Sequence, residues 1–348
     1  MEISKLLRPH LQQLTPYSSA RDEFTGTADV YLDANENAFG STSHDRFRRY
    51  PDPYQSALKS KIGQIKGVDP SRIFLGNGSD EPIDLLIRAF CNPGKNKIII
   101  TPPTYGMYEV SASINDVGII KVPLLPDYAL DLEHVLEAIE PGIKLIFLCS
   151  PNNPSGNRMD SEQMLEIIKK FQGLVILDEA YIDFAPDTSM IDELQNHQNL
   201  VILQTFSKAW GLASLRLGMA FADAEIISIL NMIKPPYNIN GATQELILEA
   251  LGNMDSMKRL LAETKEQKKH LESMLNEVGI IKAIYPSDAN FFLVKIEHAH
   301  DVYLKLIDKK IIVRDRSRVA LCEDCLRITV GTRHENETLI RELKMINS

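Results

Sequence analysis

The sequence predicts an α/β fold, in which a large domain with a mostly parallel central sheet flanked by helices is joined to a small α+β domain. Between about residues 70 and 220, short apolar runs alternate with helical stretches, which is the pattern of an open α/β sheet. Several of these runs contain no polar residue, as is typical of strands that are buried on both faces. From about residue 255 the pattern changes to a long charged helix followed by shorter elements, which indicates a second unit.

The elements of the large domain follow from local patterns. Residues 79–91 are predicted as an amphipathic helix because their apolar residues recur every three or four positions. A helix at residues 160–171 begins with Asp160 and Gln163, which have the spacing of a capping box. The predicted strands are residues 97–101, 144–150, 174–177, 200–203 and 217–222.

The second unit is predicted from its own helices and strands. They are helices at residues 255–278, 299–309 and 336–345 and strands at residues 290–296, 311–314 and 326–330. We therefore divide the chain into a large domain of residues 41–260 and a small domain of residues 261–348. Residues 1–40 are interpreted as an N-terminal arm or a part of the small domain.

Composition argues against several classes of protein. The formal net charge of −9 is unsuited to a general nucleic-acid surface, which needs an excess of Lys and Arg. Four cysteines do not make a disulfide framework in a chain of this length, and the eight histidines show no metal-site spacing. The sequence has no run of 18 apolar residues and no signal-peptide core, so we expect a cytoplasmic protein without a metal or a membrane partner.

Polar motifs follow the predicted strands at the edge where open α/β sheets bind ligands. Each motif alone has an ordinary explanation as a helix cap, a turn or a packed loop residue. Their common position is what indicates a single site for one cofactor. The motifs are Gly76-Asn77-Gly78-Ser79-Asp80-Glu81, Pro103-Thr104-Tyr105-Gly106, Ser150-Pro151-Asn152-Asn153-Pro154-Ser155-Gly156, Leu177-Asp178-Glu179-Ala180-Tyr181 and Thr205-Phe206-Ser207-Lys208.

Asp178 and Lys208 are the two charged residues whose positions most need a ligand. Asp178 ends a buried apolar strand, where a carboxylate is costly unless it is paired, and a protonated pyridine nitrogen would pair with it. Lys208 follows another buried strand, where a Schiff base with pyridoxal phosphate would remove its charge. The alternatives are a helix cap for Asp178 and a snorkelling surface lysine for Lys208.

These motifs resemble those of the fold-type I pyridoxal-phosphate aminotransferases, and within the class II subfamily most closely the histidinol-phosphate aminotransferases. Residues 14–17 (LTPY), 103–108 (PTYGMY) and 326–333 (LRITVGTR) point to this narrower family. The resemblance covers nearly all of the chain. It implies reversible, ping-pong conversion of L-histidinol phosphate and 2-oxoglutarate to imidazole-acetol phosphate and L-glutamate, a step of histidine biosynthesis.

The resemblance implies a role for each matching residue. Lys208 would hold the cofactor and move the proton at the substrate α-carbon, and Asp178 would pair with the pyridine nitrogen. Tyr181 and Asn153 would bind the phenolic oxygen of the ring, on which Tyr105 would stack. The residues implied to anchor the cofactor phosphate are Ser79, Asp80, Thr205, Ser207, Arg216 and, from the other subunit of a homodimer with shared sites, Tyr50. The residues implied to bind the substrate are Tyr17, Arg314 and Arg327.

Some features depart from the family pattern. Ser155 stands where the family commonly has threonine, which keeps the hydroxyl. Arg316 and Arg318 are additional arginines that either strengthen anion binding or belong to a solvated strand edge. Cys322 and Cys325 form a lone C-x-x-C pair, which we interpret as two incidental thiols.

Other functions on the same scaffold stay open. An aromatic or other amino-acid aminotransferase and an amino-acid-phosphate decarboxylase would need the same cofactor residues. A non-catalytic regulator or binding module is the alternative from a different class. Such regulators usually carry an added DNA-binding domain, for which this chain has no spare residues, and the catalytic lysine and aspartate are both present.

Overall fold

The computed structural model describes residues 2–17, 26, 28–186 and 189–346. Seven strands form its large sheet: β1 (Ile73–Asn77), β2 (Lys97–Ile100), β3 (Gly118–Lys121), β4 (Ile143–Cys149), β5 (Leu174–Asp178), β6 (Leu200–Thr205) and β7 (Leu217–Phe221). Their order across the sheet is β1-β7-β6-β5-β4-β2-β3. Only β7 runs against its neighbours, and the pairs among β2 to β6 are parallel. The predicted mostly parallel sheet is confirmed.

Helices cover both faces of this sheet. One face carries α1 (Ser56–Lys66), α4 (Leu132–Glu137), α5 (Ser161–Lys170) and α7 (Gly241–Leu251), and the other carries α2 (Asp80–Phe90), α3 (Met107–Ile114) and α6 (Ala224–Ile233). Alternate residues of β4 enter opposite cores: Leu145 and Phe147 pack on one side, Ile146 and Leu148 on the other. This two-sided burial explains why β4, β5 and β6 are apolar at nearly every position.

The predicted start of α5 is confirmed, with Asp160 as its N-cap, although only the Asp160 half of the predicted capping box is formed. The carboxylate of Asp160 accepts hydrogen bonds from the backbone N–H groups of Glu162 at 2.8 Å and Gln163 at 3.0 Å. These donors have no partner within the helix, so the cap satisfies two of them. The helix predicted at residues 79–91 is likewise present as α2, with Ser79 at its N-cap.

A second, antiparallel sheet lies in the C-terminal part of the chain, in the order β10-β11-β9-β8, with strands β8 (Ile281–Ile284), β9 (Phe291–Ile296), β10 (Arg314–Asp315) and β11 (Cys325–Thr329). Three helices pack with it around a separate core: α8 (Met254–Leu275), α9 (Ala299–Asp308) and α10 (Arg333–Ile346). The predicted small α+β unit is confirmed.

The strand predicted at residues 311–314 is wrong in its bounds. Residues 311–313 connect α9 to β10 instead. The N–H of Ile311 donates to the carbonyl of Leu306 and ends the helix, after Lys310 has turned with a φ of 59°. Ile312 is 73% exposed, whereas Ile311 and Val313 pack, partly buried, against the core of the small unit without strand pairing.

The described beginning of the chain packs on the large unit. Ile3 and Leu7 are buried in the core that α2 and α6 share, and the N–H of Arg8 donates to the carbonyl of Ala89 at 3.0 Å. The division of the chain at residues 40 and 260 stays a prediction. Short 3₁₀ helices occur at Ile3–Lys5, Pro9–Gln13, Asp45–Phe47, Pro70–Arg72, Ile182–Phe184, Met190–Gln195 and Ala213–Leu215. Within the described ranges, no helix has both the length and the apolar character that crossing a bilayer requires.

Candidate active site

A cavity of about 390 Å³ lies between the carboxyl ends of the large-sheet strands and the small sheet. Residues that follow β1, β4, β5 and β6 line one wall, and residues of β10 and β11 line the other. All the site residues that the sequence predicts are part of this lining except Tyr17 and Tyr50. The strand-end motifs therefore do meet at one place.

Asp178 forms the floor of the cavity. It is the last residue of β5 and is 2% exposed. Its Oδ2 accepts a hydrogen bond from the hydroxyl of Tyr108 at 2.6 Å, and its Oδ1 accepts one from the backbone N–H of Ala180 at 3.0 Å. Burial raises the pKa of this carboxyl, and the two hydrogen bonds oppose that effect. No described residue forms an ion pair with Asp178, so this buried acid still lacks a cationic partner.

Tyr108 is the functional residue that sequence reasoning missed. It lies in α3, is fully buried, and stacks on Phe147 with ring centroids 4.8 Å apart. Burial and the neighbouring Asp178 raise the pKa of its phenol well above the ordinary value, so it remains a hydrogen-bond donor. The sequence shows Tyr108 in the stretch 103–108 (PTYGMY), but nothing local to it indicates the contact with Asp178.

Lys208 lies in the turn after β6, with its side chain open to the cavity. Its Nζ stands 5.4 Å from the centroid of the Tyr181 ring. Desolvation of this ammonium, followed by the charge of Arg327, lowers its pKa, while Asp178 opposes the shift. A lowered pKa increases the fraction of neutral amine, which is the form that attacks a carbonyl.

Tyr181 and Asn153 are two buried polar residues beside this lysine. The ring of Tyr181 meets Phe291 edge-on, with centroids 5.2 Å apart, and burial raises the pKa of its phenol. Oδ1 of Asn153 accepts a hydrogen bond from Nη1 of Arg327, which joins the loop after β4 to the small sheet. A phenol and an amide at this position can donate to an oxygen of a bound ligand.

A candidate anion site lies at the start of α2. Ser79 caps the helix without using its side chain, so its hydroxyl remains for a ligand. Nη2 of Arg216 lies 3.7 Å from Oδ2 of Asp80, whose Oδ1 accepts a hydrogen bond from the hydroxyl of Tyr105 at 2.9 Å. The hydroxyls of Thr205 and Ser207 are 3.0 Å apart, and both residues also line the cavity. Unpaired N–H groups in a first helical turn favour a phosphate.

The backbone around Gly78 leaves no space for a side chain. Its φ is +70°, and a Cβ atom there would collide with the guanidinium of Arg216. The N–H of Gly78 donates to the carbonyl of Arg216 at 2.7 Å, and a Cβ on Gly218 would strike the Gly78–Ser79 peptide. This close packing holds the guanidinium beside the first turn of α2, where an anion can bind both.

Arg314 and Arg327 face each other across the β10–β11 pair. Like charges directly opposite in a sheet are destabilising, so this pairing needs a compensating anion. Desolvation lowers the pKa of the Arg327 guanidinium, and its Nε is buried without a hydrogen-bond partner. The guanidinium carbon lies 5.2 Å from the centroid of the Phe291 ring. The small-sheet wall is therefore a second candidate site for an anion.

Tyr17 and Tyr50 lie outside the cavity. Tyr17 is 75% exposed and lines a separate small cavity with Pro53 and Tyr54. Tyr50 is 52% exposed, stacks on Tyr237 with centroids 4.6 Å apart, and lines a larger, open cavity of about 810 Å³. Within one chain, neither residue joins the other predicted site residues, and their roles stay predictions.

The C-x-x-C pair lies in the protein interior. Cys322 and Cys325 are buried free thiols, and the N–H of Cys325 donates to the carbonyl of Cys322 at 3.0 Å. Burial raises the pKa of Cys322 to about 11 and that of Cys325 to about 12. Among the residues described, no group of His, Cys, Asp and Glu is placed to hold a metal ion.

The donor set fits pyridoxal phosphate. The buried Asp178 suits the cationic pyridine nitrogen, and the Lys208 amine suits the aldehyde. The anion site at the start of α2 suits the phosphate, and Tyr105 supplies an aromatic wall beside it. Two features of the chain support this fit. Asp178 has no cationic partner among the described residues, and Arg216 lies beside Gly78 next to the N-terminus of α2, where a phosphate could bind.

Comparison with known proteins agrees with this geometry. The sequence model of the family described as "Aminotransferase class I and II" matches residues 21–343. The histidinol-phosphate aminotransferase of Cytophaga hutchinsonii is 51% identical over 342 residues, which cover 98% of each chain.

Two solved structures share the fold. The histidinol-phosphate aminotransferase of Clostridium acetobutylicum superposes with a TM-score of 0.80 at 25% identity, covering 86% of this chain and 91% of that one. The enzyme of the same name from Sinorhizobium meliloti, solved in complex with pyridoxal-5'-phosphate, superposes with a TM-score of 0.81 at 23% identity, covering 90% and 89%.

Fold and site together define a pyridoxal-phosphate-dependent enzyme of fold type I. The chain belongs to the class I and II aminotransferases and, within them, to the histidinol-phosphate aminotransferases. The cofactor and the class of reaction expected from the sequence are confirmed.

Proposed function

We propose that this enzyme transfers an amino group from L-histidinol phosphate to 2-oxoglutarate, giving imidazole-acetol phosphate and L-glutamate, reversibly and in two half-reactions. The observation that carries the substrate assignment is the Arg314–Arg327 pair in the same cavity as Lys208 and Asp178. A site with two guanidinium groups beyond the cofactor residues suits a substrate that carries its own anion. The high identity to relatives with this activity supports the same reading.

The cofactor, when bound, supplies an electron sink for the pair of electrons left at the substrate α-carbon. We propose that Nζ of Lys208 removes the proton from that carbon, and its lowered pKa supports this role because a neutral amine accepts a proton. Nζ lies 5.4 Å from the centroid of the Tyr181 ring, and both residues line the cavity.

We assign the remaining cofactor residues to three parts of the ring system. Asp178 would hold the pyridine nitrogen protonated, and Tyr181 and Asn153 would bind the phenolic oxygen. Tyr105 would cover the ring face, which its hydrogen bond to Asp80 supports by fixing the side chain. The residues that we assign to the phosphate are Ser79, Asp80, Thr205, Ser207 and Arg216.

Both half-reactions would use one anion site. Histidinol phosphate presents a phosphate and 2-oxoglutarate a second carboxylate, and arginine binds either group through two parallel N–H donors. Nη1 of Arg327 donates to Oδ1 of Asn153, so an anion bound by Arg327 would lie next to a residue that we assign to the cofactor.

We further propose a cytoplasmic homodimer with shared active sites. Tyr50 and Tyr17 support it, since each is largely exposed in one chain and lies outside the cavity. The partner's copy of Tyr50 would complete the cofactor phosphate site, and Tyr17 would contact the substrate.

The test is an absorbance titration of the purified holoenzyme. Adding histidinol phosphate should remove the visible band of the bound aldehyde form, and 2-oxoglutarate should restore it. A visible band that histidinol phosphate leaves unchanged would refute the substrate assignment. A single-turnover product analysis then distinguishes another aminotransferase from a decarboxylase, because only the decarboxylase releases carbon dioxide from an amino-acid phosphate.

A further inference from the structure

Arg316 and Arg318 are two residues apart but have different surroundings. Arg316 is half-buried and lines the active-site cavity together with Arg314 and Arg327. Arg318 is exposed and is not part of that lining. Of the two interpretations that the sequence allows for these arginines, Arg316 therefore fits anion binding and Arg318 fits a solvated edge.

The backbone explains this separation. Arg314 is the first residue of β10, and the N–H of Arg316 donates to the carbonyl of Cys325 at 2.9 Å, so pairing with β11 continues beyond the end of β10. Residues i and i+2 of a strand face the same side, which brings Arg316 to the face of Arg314. The N–H of Val319 then donates to the carbonyl of Arg316 at 2.8 Å, and this turn carries Arg318 away.

The carboxylate between these arginines does not neutralise them. Oδ2 of Asp315 lies 2.8 Å from Nδ1 of His300, and its Oδ1 accepts a hydrogen bond from the N–H of Ser317 at 2.9 Å. Partial burial would raise the pKa of Asp315, but the hydrogen bonds from His300 and Ser317 hold it below the ordinary value. Asp315 is thus ionised and already bound on the other side of the strand.

The arginine cluster consists of Arg314, Arg316 and Arg327, and it has no counter-charge of its own. No described residue forms an ion pair with any of the three. The Nε atoms of Arg316 and Arg327 are both buried without a hydrogen-bond partner. Desolvation, followed by the charges of Arg327 and Arg314, lowers the pKa of the Arg316 guanidinium. An anion in the cavity would relieve this repulsion and satisfy the unpaired donors.

We propose that Arg316 is a specificity residue that makes the cluster prefer a phosphate dianion to a carboxylate. The proposal rests on the proposed function and deepens it by assigning the phosphate to three guanidinium groups instead of two. A phosphate monoester carries about −1.5 to −2 charge at pH 7 and offers three acceptor oxygens. A carboxylate offers one charge and two oxygens, so two guanidinium groups already saturate it.

Arg316→Gln tests the proposal, and Arg318→Gln is the matched control on the same loop. Single-turnover kinetics of the holoenzyme would be measured with histidinol phosphate and with histidinol, which lacks the phosphate. For Arg316→Gln the concentration for half-maximal rate with histidinol phosphate should rise roughly 10- to 100-fold, the loss typical of a charge-assisted hydrogen bond. The maximal rate, the response to histidinol and all values for Arg318→Gln should stay at the wild-type level.

A second readout does not depend on turnover. Inorganic phosphate should compete with substrate binding, and its inhibition constant should rise in Arg316→Gln but not in Arg318→Gln. Arg316→Lys keeps the charge and should recover part of the lost affinity. The visible band and the midpoint of thermal unfolding, compared across the variants, show whether each one is folded and holds cofactor.

Two results would overturn the proposal. One is an Arg316→Gln enzyme that binds phosphate and histidinol phosphate like the wild type. The other is an equal loss with histidinol and histidinol phosphate, which would make Arg316 a general structural residue. If the wild-type enzyme itself does not convert histidinol phosphate, the proposed function fails separately, and the phosphate inhibition series still decides whether Arg316 belongs to an anion site.

Discussion

The two walls of the active site handle charge in opposite ways. On the large-sheet wall, Asp178 accepts two hydrogen bonds and Arg216 lies 3.7 Å from Asp80, so these three charged groups have polar contacts within the chain. On the small-sheet wall, Arg314 and Arg327 face each other with no described carboxylate between them. The first arrangement suits a resident cofactor, and the second suits anions that bind and leave in every cycle. The difference predicts which substitutions abolish the reaction and which only weaken binding.

Lys208→Ala should have the largest effect. Removing the amine takes away both the attachment point and the proton carrier, so the rate of transamination should fall by roughly 10⁴-fold or more. The fold should survive, because the side chain lies open to the cavity. Steady-state rates and circular dichroism of the variant would be compared with wild type. Turnover within tenfold of wild type would remove Lys208 from its proposed role.

Asp178→Asn should lower kcat by roughly 10²- to 10⁴-fold, the range for a group that holds a catalytic proton. The amide keeps the shape of the carboxyl but cannot hold a positive charge on the pyridine nitrogen. Cofactor absorbance shows whether the variant still binds pyridoxal phosphate. A near-normal kcat with cofactor bound would exclude this pairing.

The same variant should stabilise the cofactor-free protein at neutral pH. Burial raises the folded-state pKa of Asp178, so the folded protein binds this proton more tightly than the unfolded chain does. The contribution of Asp178 is therefore favourable at acidic pH and is lost as pH rises from the unfolded pKa, about 3.9, through the raised folded one. Urea unfolding of the apoprotein should show the free energy of unfolding of Asp178→Asn, relative to wild type, increasing from pH 4 to pH 7.

Arg327→Ala, on the small-sheet wall, should weaken binding of a phosphate-bearing substrate by about 2–5 kcal/mol. KM for histidinol phosphate should rise accordingly, and kcat/KM should fall with it. The visible cofactor band should be retained, since we assign the cofactor phosphate to residues at the start of α2. Unchanged KM and kcat/KM would place Arg327 outside the substrate site.

Tyr108→Phe should have the smallest effect of these variants. It tests the hydrogen bond from Tyr108 to Asp178 on the large-sheet wall. Only one hydroxyl is lost, so the activation free energy should rise by about 1–2 kcal/mol. This lowers kcat roughly 5- to 30-fold and leaves KM little changed. The pH at which the cofactor absorbance changes should shift, because Asp178 loses a hydrogen bond that favours its charged form. A shift in KM alone, with normal spectra, would argue for a purely packing role.

Much of the large-sheet wall could be predicted from the sequence. Asp178 and Lys208 each follow a strand whose apolar run is buried on both faces, and a charged residue at that point is conspicuous. Tyr108 was not predicted because its partner lies 70 residues away, and nothing local in α3 indicates that its hydroxyl meets a carboxylate. The two residues are brought together only by the folded arrangement of α3 and β5, which depends on the order of the strands in the sheet.

The small-sheet wall was harder to predict from the sequence. β10 has only two residues, too few for the alternation of polar and apolar residues that marks a strand, and the neighbouring run at 311–313 gave a misleading signal. The sequence could not separate Arg316 from Arg318, because their distinction depends on where pairing with β11 stops. Likewise, no local feature of β7 reveals that it is antiparallel, since its residues are buried like those of its parallel neighbours.

The short strand β10 also makes substrate preference sensitive to strand register. Its pairing with β11 decides that Arg314 and Arg316 face the cavity while Asp315 faces His300. A slip of this pairing by one residue would exchange the two faces, so that Asp315 would face the cavity and the two arginines would leave it. Arg327 would remain on β11, so the enzyme would keep one guanidinium group and bind substrate anions more weakly, with Lys208 and Asp178 untouched.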